Sequence, residues 1–189
     1  MLDKAVHKII FTGPVGAGKS TAINSISDIA VVSTEQIATD HTRERKETTT
    51  VALDYGMIKL DQGENIHLYG TPGQQRFNFM WDILVENAIG VVILVDNAND
   101  DPLSDLNYFL KNFCDFIKNS AIVIGITRTD LGGGPRLCDY HRLLKEFNFN
   151  PPIFEVDARK QIDISLLIQA LLFSLDQSIE EQAPLDIVL

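Results

Sequence analysis

Short apolar runs and helical stripes alternate along this chain. His7–Thr12 is β-branched and aromatic and suits a buried strand, and Ser20–Ile26 can follow it as a helix. Residues 39–50 are polar, lack apolar periodicity and predict an exposed loop. Val51–Leu60 predicts a strand, Asp61-Gln62-Gly63-Glu64 a turn, and Ile66–Tyr69 a second strand, which together make a hairpin. Phe77, Met80, Trp81, Leu84 and Ala88 recur at helical spacing, and Gly90–Asp96 predicts a strand buried on both faces. Pro102 can open a helix whose stripe is Leu103, Leu106, Phe109, Leu110, Phe113 and Ile117. Ala121–Thr127 predicts another buried strand. After the loop Gly132–Pro135 come a helix carrying Leu137, Tyr140, Leu143, Leu144 and Phe147, a short strand at Ile153–Val156, and a last helix striped by Ile164, Leu167, Ile168, Leu171, Leu172 and Leu175. From Glu180 onward there is no structure signal.

This alternation predicts an α/β fold: a mostly parallel six-stranded sheet with one antiparallel edge strand and helices on both faces. No repeat or linker interrupts it, so residues 1–189 are expected to form a single domain. A net charge of −10 argues against nucleic-acid binding and against attachment to anionic membranes. The apolar run near Val91–Val95 is too short to span a bilayer. No leader or lipid-anchor pattern is found, and Cys114 and Cys138 lack metal-like spacing, so a reducing cytoplasm is expected.

Between the first strand and the first helix stands Gly13-Pro14-Val15-Gly16-Ala17-Gly18-Lys19-Ser20, the G-x-x-x-x-G-K-S pattern of a P-loop. Its glycines let backbone N–H groups turn inward around a phosphate, with Ala17 and Thr21 at the mouth of the helix. Lys19 can reach the β- and γ-phosphates, and the Ser20 hydroxyl can ligate Mg²⁺. The helix dipole points at the same anion. Strand, loop and helix together predict a P-loop NTPase fold.

The stretch Tyr69-Gly70-Thr71-Pro72-Gly73-Gln74-Gln75-Arg76-Phe77 resembles the switch II segment of Ras-like small GTPases, whose common form is D-T-A-G-Q-E-x-F. Thr50-Val51-Ala52-Leu53-Asp54-Tyr55 resembles the switch I exit of the Rab branch. Thr-Pro-Gly is similar to the bacterial branch, including the gliding-motility group (MglA) and relatives in actinobacterial gene clusters. The resemblance runs from about Lys8 to the last helix. It implies a small GTPase domain that binds GTP or GDP with Mg²⁺ and acts on protein effectors and regulators, among them roadblock-type proteins. In that scheme Thr50, favoured by spacing over Thr48 and Thr49, supplies a second metal ligand. Gly73 offers an N–H to the γ-phosphate, and Gln74 orients the attacking water.

The base should be read after the strand Ala121–Thr127. Where the resemblance implies N-K-x-D, this chain has Thr127-Arg128-Thr129-Asp130. Asp130 would accept from guanine N1 and N2, and Arg128 would lay its aliphatic stem along the base. Asp157-Ala158-Arg159 takes the place of S-A-K, where the Ala158 N–H would meet guanine O6.

Two departures stand out. Gly70 replaces the aspartate that holds Mg²⁺ through water, and Asp54 could approach the metal instead. Val15 brings a β-branched side chain near the γ-phosphate and Gln74 and predicts slow hydrolysis. Arg43 and Arg45 are either solvated charges or an arginine finger in cis. Phe77, Phe79, Met80 and Trp81 suggest an exposed aromatic patch for a partner or, equally, core. Two other readings stay open: a P-loop ATPase or small-molecule kinase, and a nucleotide-binding scaffold that does not hydrolyse.

Overall fold

The structure, a computed structural model, describes residues 7–33, 53–60, 63–73, 79–113, 120–147 and 150–182, apart from the side chains of residues 79, 80, 82 and 176–182. Its elements in order are β1 (His7–Thr12), α1 (Lys19–Ile26), β2 (Val32–Ser33), β3 (Asp54–Lys59), β4 (Asn65–Gly70), α2 (Phe79–Val85), β5 (Gly90–Asp96), α3 (Pro102–Asn112), β6 (Ala121–Thr127), a 3₁₀ turn (Thr129–Leu131), α4 (Leu137–Glu146), β7 (Ile153–Glu155) and α5 (Gln161–Gln182).

They build one seven-stranded sheet in the order β2-β3-β4-β1-β5-β6-β7. β1 pairs in parallel with β4 and β5, β6 with β5, and β7 with β6. β3 alone runs against its neighbours, β4 and β2. The fold class is therefore the expected one, with one added strand. The two residues of β2 lie outside β3, which thus stands second from the edge. A strand of two residues is too short to leave a period-2 pattern.

The central strands are buried on both faces, so their sequence is continuously apolar. Alternate residues serve two cores. Ile9, Phe11, Val92, Leu94 and Val123 face α1 and α5. Ile10, Val91, Ile93, Val95, Ile122, Ile124 and Ile126 share a core with Trp81 of α2, Leu106 and Phe109 of α3, and Tyr140 of α4. Each such side chain contributes about 1.5–3 kcal/mol by leaving water.

Helix ends follow local chemistry. α3 opens with Pro102 after Asp101, whose Oδ1 accepts the Ser104 N–H at 3.0 Å. α5 runs to Gln182, about two turns past Leu175, the last apolar residue of the expected stripe. Among the described residues no helix is long and apolar enough to cross a membrane.

The expectation of an exposed aromatic patch is overturned at Trp81. It is only 3% exposed, and its ring stacks on Phe109 and Phe113 at 5.1 Å each. Helical phase turns this one position toward α3. Phe77, and the side chains of Phe79 and Met80, lie outside the described residues.

Candidate functional site

All the glycine-loop chemistry gathers at the C-terminal ends of β1 and β5. Gly13 sits at φ 138°, and a Cβ there would lie 2.0 Å from the Leu94 carbonyl oxygen, so only glycine lets the loop leave β1 against β5. Gly16 and Gly18 also have positive φ, and Gly18 leads directly into α1. No side chain caps α1, and its first turn carries no acid. An α-helix leaves its first four N–H groups without internal partners, and here nothing from the helix's own residues competes for them. Such an end favours an anion.

Lys19 folds back over the loop. Its Nζ donates to the Gly13 and Pro14 carbonyls at 2.9 and 2.7 Å. The residue is 8% exposed, and burial brings its ammonium down to about pKa 8 against the opposing pull of Asp54. Gly73 closes on the same spot. A Cβ at Gly73 would stand 2.5 Å from the Val15 nitrogen and 2.8 Å from Lys19 Nζ. The approach is fixed from below: the Thr71 N–H donates to the Phe11 carbonyl at 2.8 Å, and the buried Thr71 and Thr12 hydroxyls bond at 2.9 Å. The Val15 side chain itself is 64% exposed.

Ser20 Oγ donates to Asp54 Oδ2 at 2.5 Å. Asp54 pairs across the antiparallel ladder with Gly70, and its Oδ2 lies 3.2 Å from where a Gly70 Cβ would be. The carboxylate thus approaches the P-loop serine through the space that a side chain at position 70 would take. Thr50 and Gln74 lie outside the described residues, as do Arg43, Arg45, Thr48 and Thr49.

A cavity of about 270 Å³ adjoins the loop. Ala17, Gly18 and Thr21 form one wall, Thr127, Arg128, Asp130 and Leu131 a second, and Asp157, Ala158 and Arg159 a third. The structure thus brings together every residue singled out in the sequence for base recognition, and it adds Leu131. Thr127 ties two walls: its buried Oγ1 lies 3.1 Å from the carbonyls of both Ala17 and Val95. The Asn97 N–H donates to the Thr127 carbonyl at 3.0 Å, and the Asn97 side chain accepts the buried Tyr140 hydroxyl at 2.7 Å. Burial, with nearby Asp105, Asp96 and Asp139, holds that phenol strongly on its protonated side.

Arg128 adopts a left-handed conformation, φ 58°, and its Nη1 bonds Asp96 Oδ2 at 2.7 Å. Its head is thereby anchored to Asp96, and the residue lines the cavity. Asp157 Oδ1 accepts from the Arg159 N–H and Nε at 3.0 and 2.8 Å, and Oδ2 accepts from Nη2 at 2.8 Å. These bonds hold the Asp157 carboxyl down at about pKa 2 and raise the Arg159 guanidinium, to which nearby Asp130 also contributes. Asp96, Asn97 and Asp163 were missed in the sequence. Asp163, an acid in the first turn of α5, carried a capping signal; the other two carried none.

A sequence model of the family described as "Conserved hypothetical ATP binding protein" matches residues 29–131, more than half of the chain. The chain belongs to this family. The matched span of this ATP-binding-family member begins after the glycine loop and ends in the wall that carries Asp130. The chain is also similar to mouse ADP-ribosylation factor-like protein 14, at 27% identity over 76% of this chain and 69% of that protein. It is 26% identical to the uncharacterized protein MJ1339 of Methanocaldococcus jannaschii, over 69% of this chain and 75% of that protein. A Dictyostelium discoideum Ras-related protein, Rab-11B, is 27% identical over 56% of this chain, a stretch that spans 44% of the Rab protein. The family member is a nucleotide-binding P-loop NTPase with a distant relationship to Ras-like small GTPases.

Proposed function

We propose that this protein is a guanine-nucleotide-dependent switch that binds GTP with Mg²⁺, hydrolyses it slowly and regulates partner proteins. One observation carries the base assignment. Among the described residues the Asp130 carboxylate accepts no hydrogen bond and the Ala158 N–H donates none, and both line the cavity beside the P-loop. The neighbouring amides of Asp157 and Arg159 are both taken up, by Asp163 Oδ2 at 2.9 Å and Asp157 Oδ1 at 3.0 Å. One free acceptor and one free donor complement the N1–H and N2 amine of guanine and its O6. Adenine would turn its 6-amino donor on the Ala158 donor and leave the Asp130 charge unmatched.

The phosphate end supports the same reading. The Ser20 oxygen, backed by a carboxylate, is the hard oxygen donor that Mg²⁺ takes, and Thr50 is proposed as its companion. The metal would supply charge neutralisation at the phosphates. Lys19 would hold the β- and γ-phosphates, the Gly73 N–H would meet the γ-phosphate, and Gln74 would orient water. Val15 stands beside Gly73 and is proposed to keep turnover slow without an activator. The likeness of Tyr69–Phe77 to switch II of the bacterial branch supports protein regulators, roadblock-type proteins among them, and a cytoplasmic setting.

The family's description favours a second reading, in which adenine nucleotide is bound. Extracting and identifying the nucleotide that co-purifies with the protein separates them. Guanine nucleotide is expected, and adenine nucleotide would overturn the assignment. Single-turnover hydrolysis of GTP, expected at or below about 10⁻³ s⁻¹, then separates a switch from a scaffold that does not hydrolyse.

A further inference from the structure

The turn after β7, which forms one wall of the cavity, uses two carboxylates to hold its own backbone. Three consecutive amides, Asp157, Ala158 and Arg159, enter it. Asp163, on the first turn of α5, reaches back and accepts the first, with Oδ2 2.9 Å from the Asp157 nitrogen. The Asp157 side chain reaches forward and accepts the third at 3.0 Å. The same carboxylate grips the Arg159 guanidinium at two points, both 2.8 Å, closing a clasp two residues long. Between them Ala158 is only 8% exposed, and its Cβ packs 2.9 Å from where a Cβ of Gly18 would be, so the turn is also pressed against the P-loop. Asp163 does not line the cavity.

We infer that Asp163 and the Asp157–Arg159 clasp are the specificity-positioning device of the base site: by occupying the flanking amides they leave the Ala158 N–H as the turn's one unshared donor, set to read the acceptor at purine position 6. This rests on the guanine reading above. Without Asp163 the Asp157 N–H is a second free donor and the turn loses the bond that fixes it to α5. The two donors then compete, and the reading of position 6 blurs. Asp130 stands on a separate wall, so recognition of the 2-amino group should persist.

The test is equilibrium binding of GDP, 6-thio-GDP, IDP and ADP to the full chain and to two variants. Sulfur at position 6 is a poor acceptor, so the GDP to 6-thio-GDP ratio reports the Ala158 contact. IDP lacks the 2-amino group, so the GDP to IDP ratio reports Asp130. Wild-type protein should prefer GDP in both comparisons. In Asp163→Ala the first ratio should fall by about tenfold, the loss of one well-made hydrogen bond, while the second stays within about twofold. Asp163→Asn keeps an acceptor oxygen and should restore the first ratio to within about threefold of wild type. Wild-type protein that prefers GDP, with an Asp163→Ala variant in which the first ratio is unchanged or both ratios fall together, would overturn this inference alone. Wild-type protein that binds ADP as tightly as GDP would overturn the guanine reading and this inference with it.

Discussion

The Ser20 hydroxyl donates to Asp54 across 2.5 Å, and Asp54 stands directly opposite Gly70 in the β3–β4 ladder. A carboxylate that the chain lacks at the end of β4 is thus supplied from the facing strand, through the space that glycine leaves. If Asp54 holds Ser20 for the metal, removing it should weaken the benefit of Mg²⁺ rather than binding in general. In Asp54→Ala, the difference in GDP affinity between excess Mg²⁺ and excess chelator should shrink by at least tenfold relative to wild type. Titration of a fluorescent GDP analogue under both conditions checks this. An unchanged difference would leave Asp54 with a merely structural bond. Gly70→Asp should not enhance binding, because its Cβ would press 3.0 Å from Ile23 Cδ1 and 3.2 Å from Asp54 Oδ2.

Lys19 makes nucleotide binding depend on pH. Burial lowers its pKa from 10.5 to about 8 in the free protein, so above pH 8 the folded chain releases a proton that phosphate binding must take back. Affinity should be level below about pH 7.5 and then fall, by at most tenfold per pH unit, up to the raised pKa of the complex. The effect on folding has the opposite sense. Between about pH 8 and 10.5 the unfolded chain holds more protons than the folded one, so this group's unfavourable contribution to the free protein's stability fades as pH rises. Calorimetric binding in buffers of different ionisation enthalpy would count the proton. No uptake at pH 9 would mean that the ammonium stays charged throughout.

Much of this was legible in the sequence because period and motif survive in short windows. β5 and β6 run over the residues their apolar runs predict, and Thr127-Arg128-Thr129-Asp130 meets Asp157-Ala158-Arg159 around one cavity. What was hidden depends on register or on helical phase. Nothing local says that Asp54 faces Gly70, because the pairing is set by how β3 lies on β4. Nothing local says either that the Arg128 head is held by Asp96, 32 residues earlier. In a run of apolar residues such as Phe79-Met80-Trp81, composition cannot tell which one turns inward; packing against α3 decides it for Trp81.

Thr127 occupies a position where an asparagine was the expected residue, and its hydroxyl lies 3.1 Å from the carbonyls of Ala17 and Val95. It is 3% exposed, so its loss would not be made good by water. Thr127→Val, which keeps shape and removes the hydroxyl, should cost about 1–3 kcal/mol of stability and loosen the Ala17 end of the P-loop. GDP affinity should fall by about tenfold, and Thr127→Ser should recover most of both losses. Thermal unfolding with and without GDP measures the two together. A valine variant that loses stability but binds GDP normally would confine Thr127 to the core.

Trp81 is the chain's single tryptophan, stacked between Phe109 and Phe113 with Tyr108 edge-on at 6.0 Å. Its buried Nε1 has no hydrogen-bond partner among the described residues. Two opposing contributions should therefore separate on substitution. Trp81→Ala empties the stack and should cost about 3–5 kcal/mol. Trp81→Phe keeps an aromatic face against both partners and removes a buried donor whose unpaired desolvation costs about 1–3 kcal/mol, which offsets part of the lost volume. Its cost should stay below about 2 kcal/mol. Urea unfolding followed by far-ultraviolet circular dichroism, which does not need the indole, would compare the two. A phenylalanine variant as unstable as the alanine variant would show that an aromatic face against Phe109 and Phe113 is not enough to hold α2.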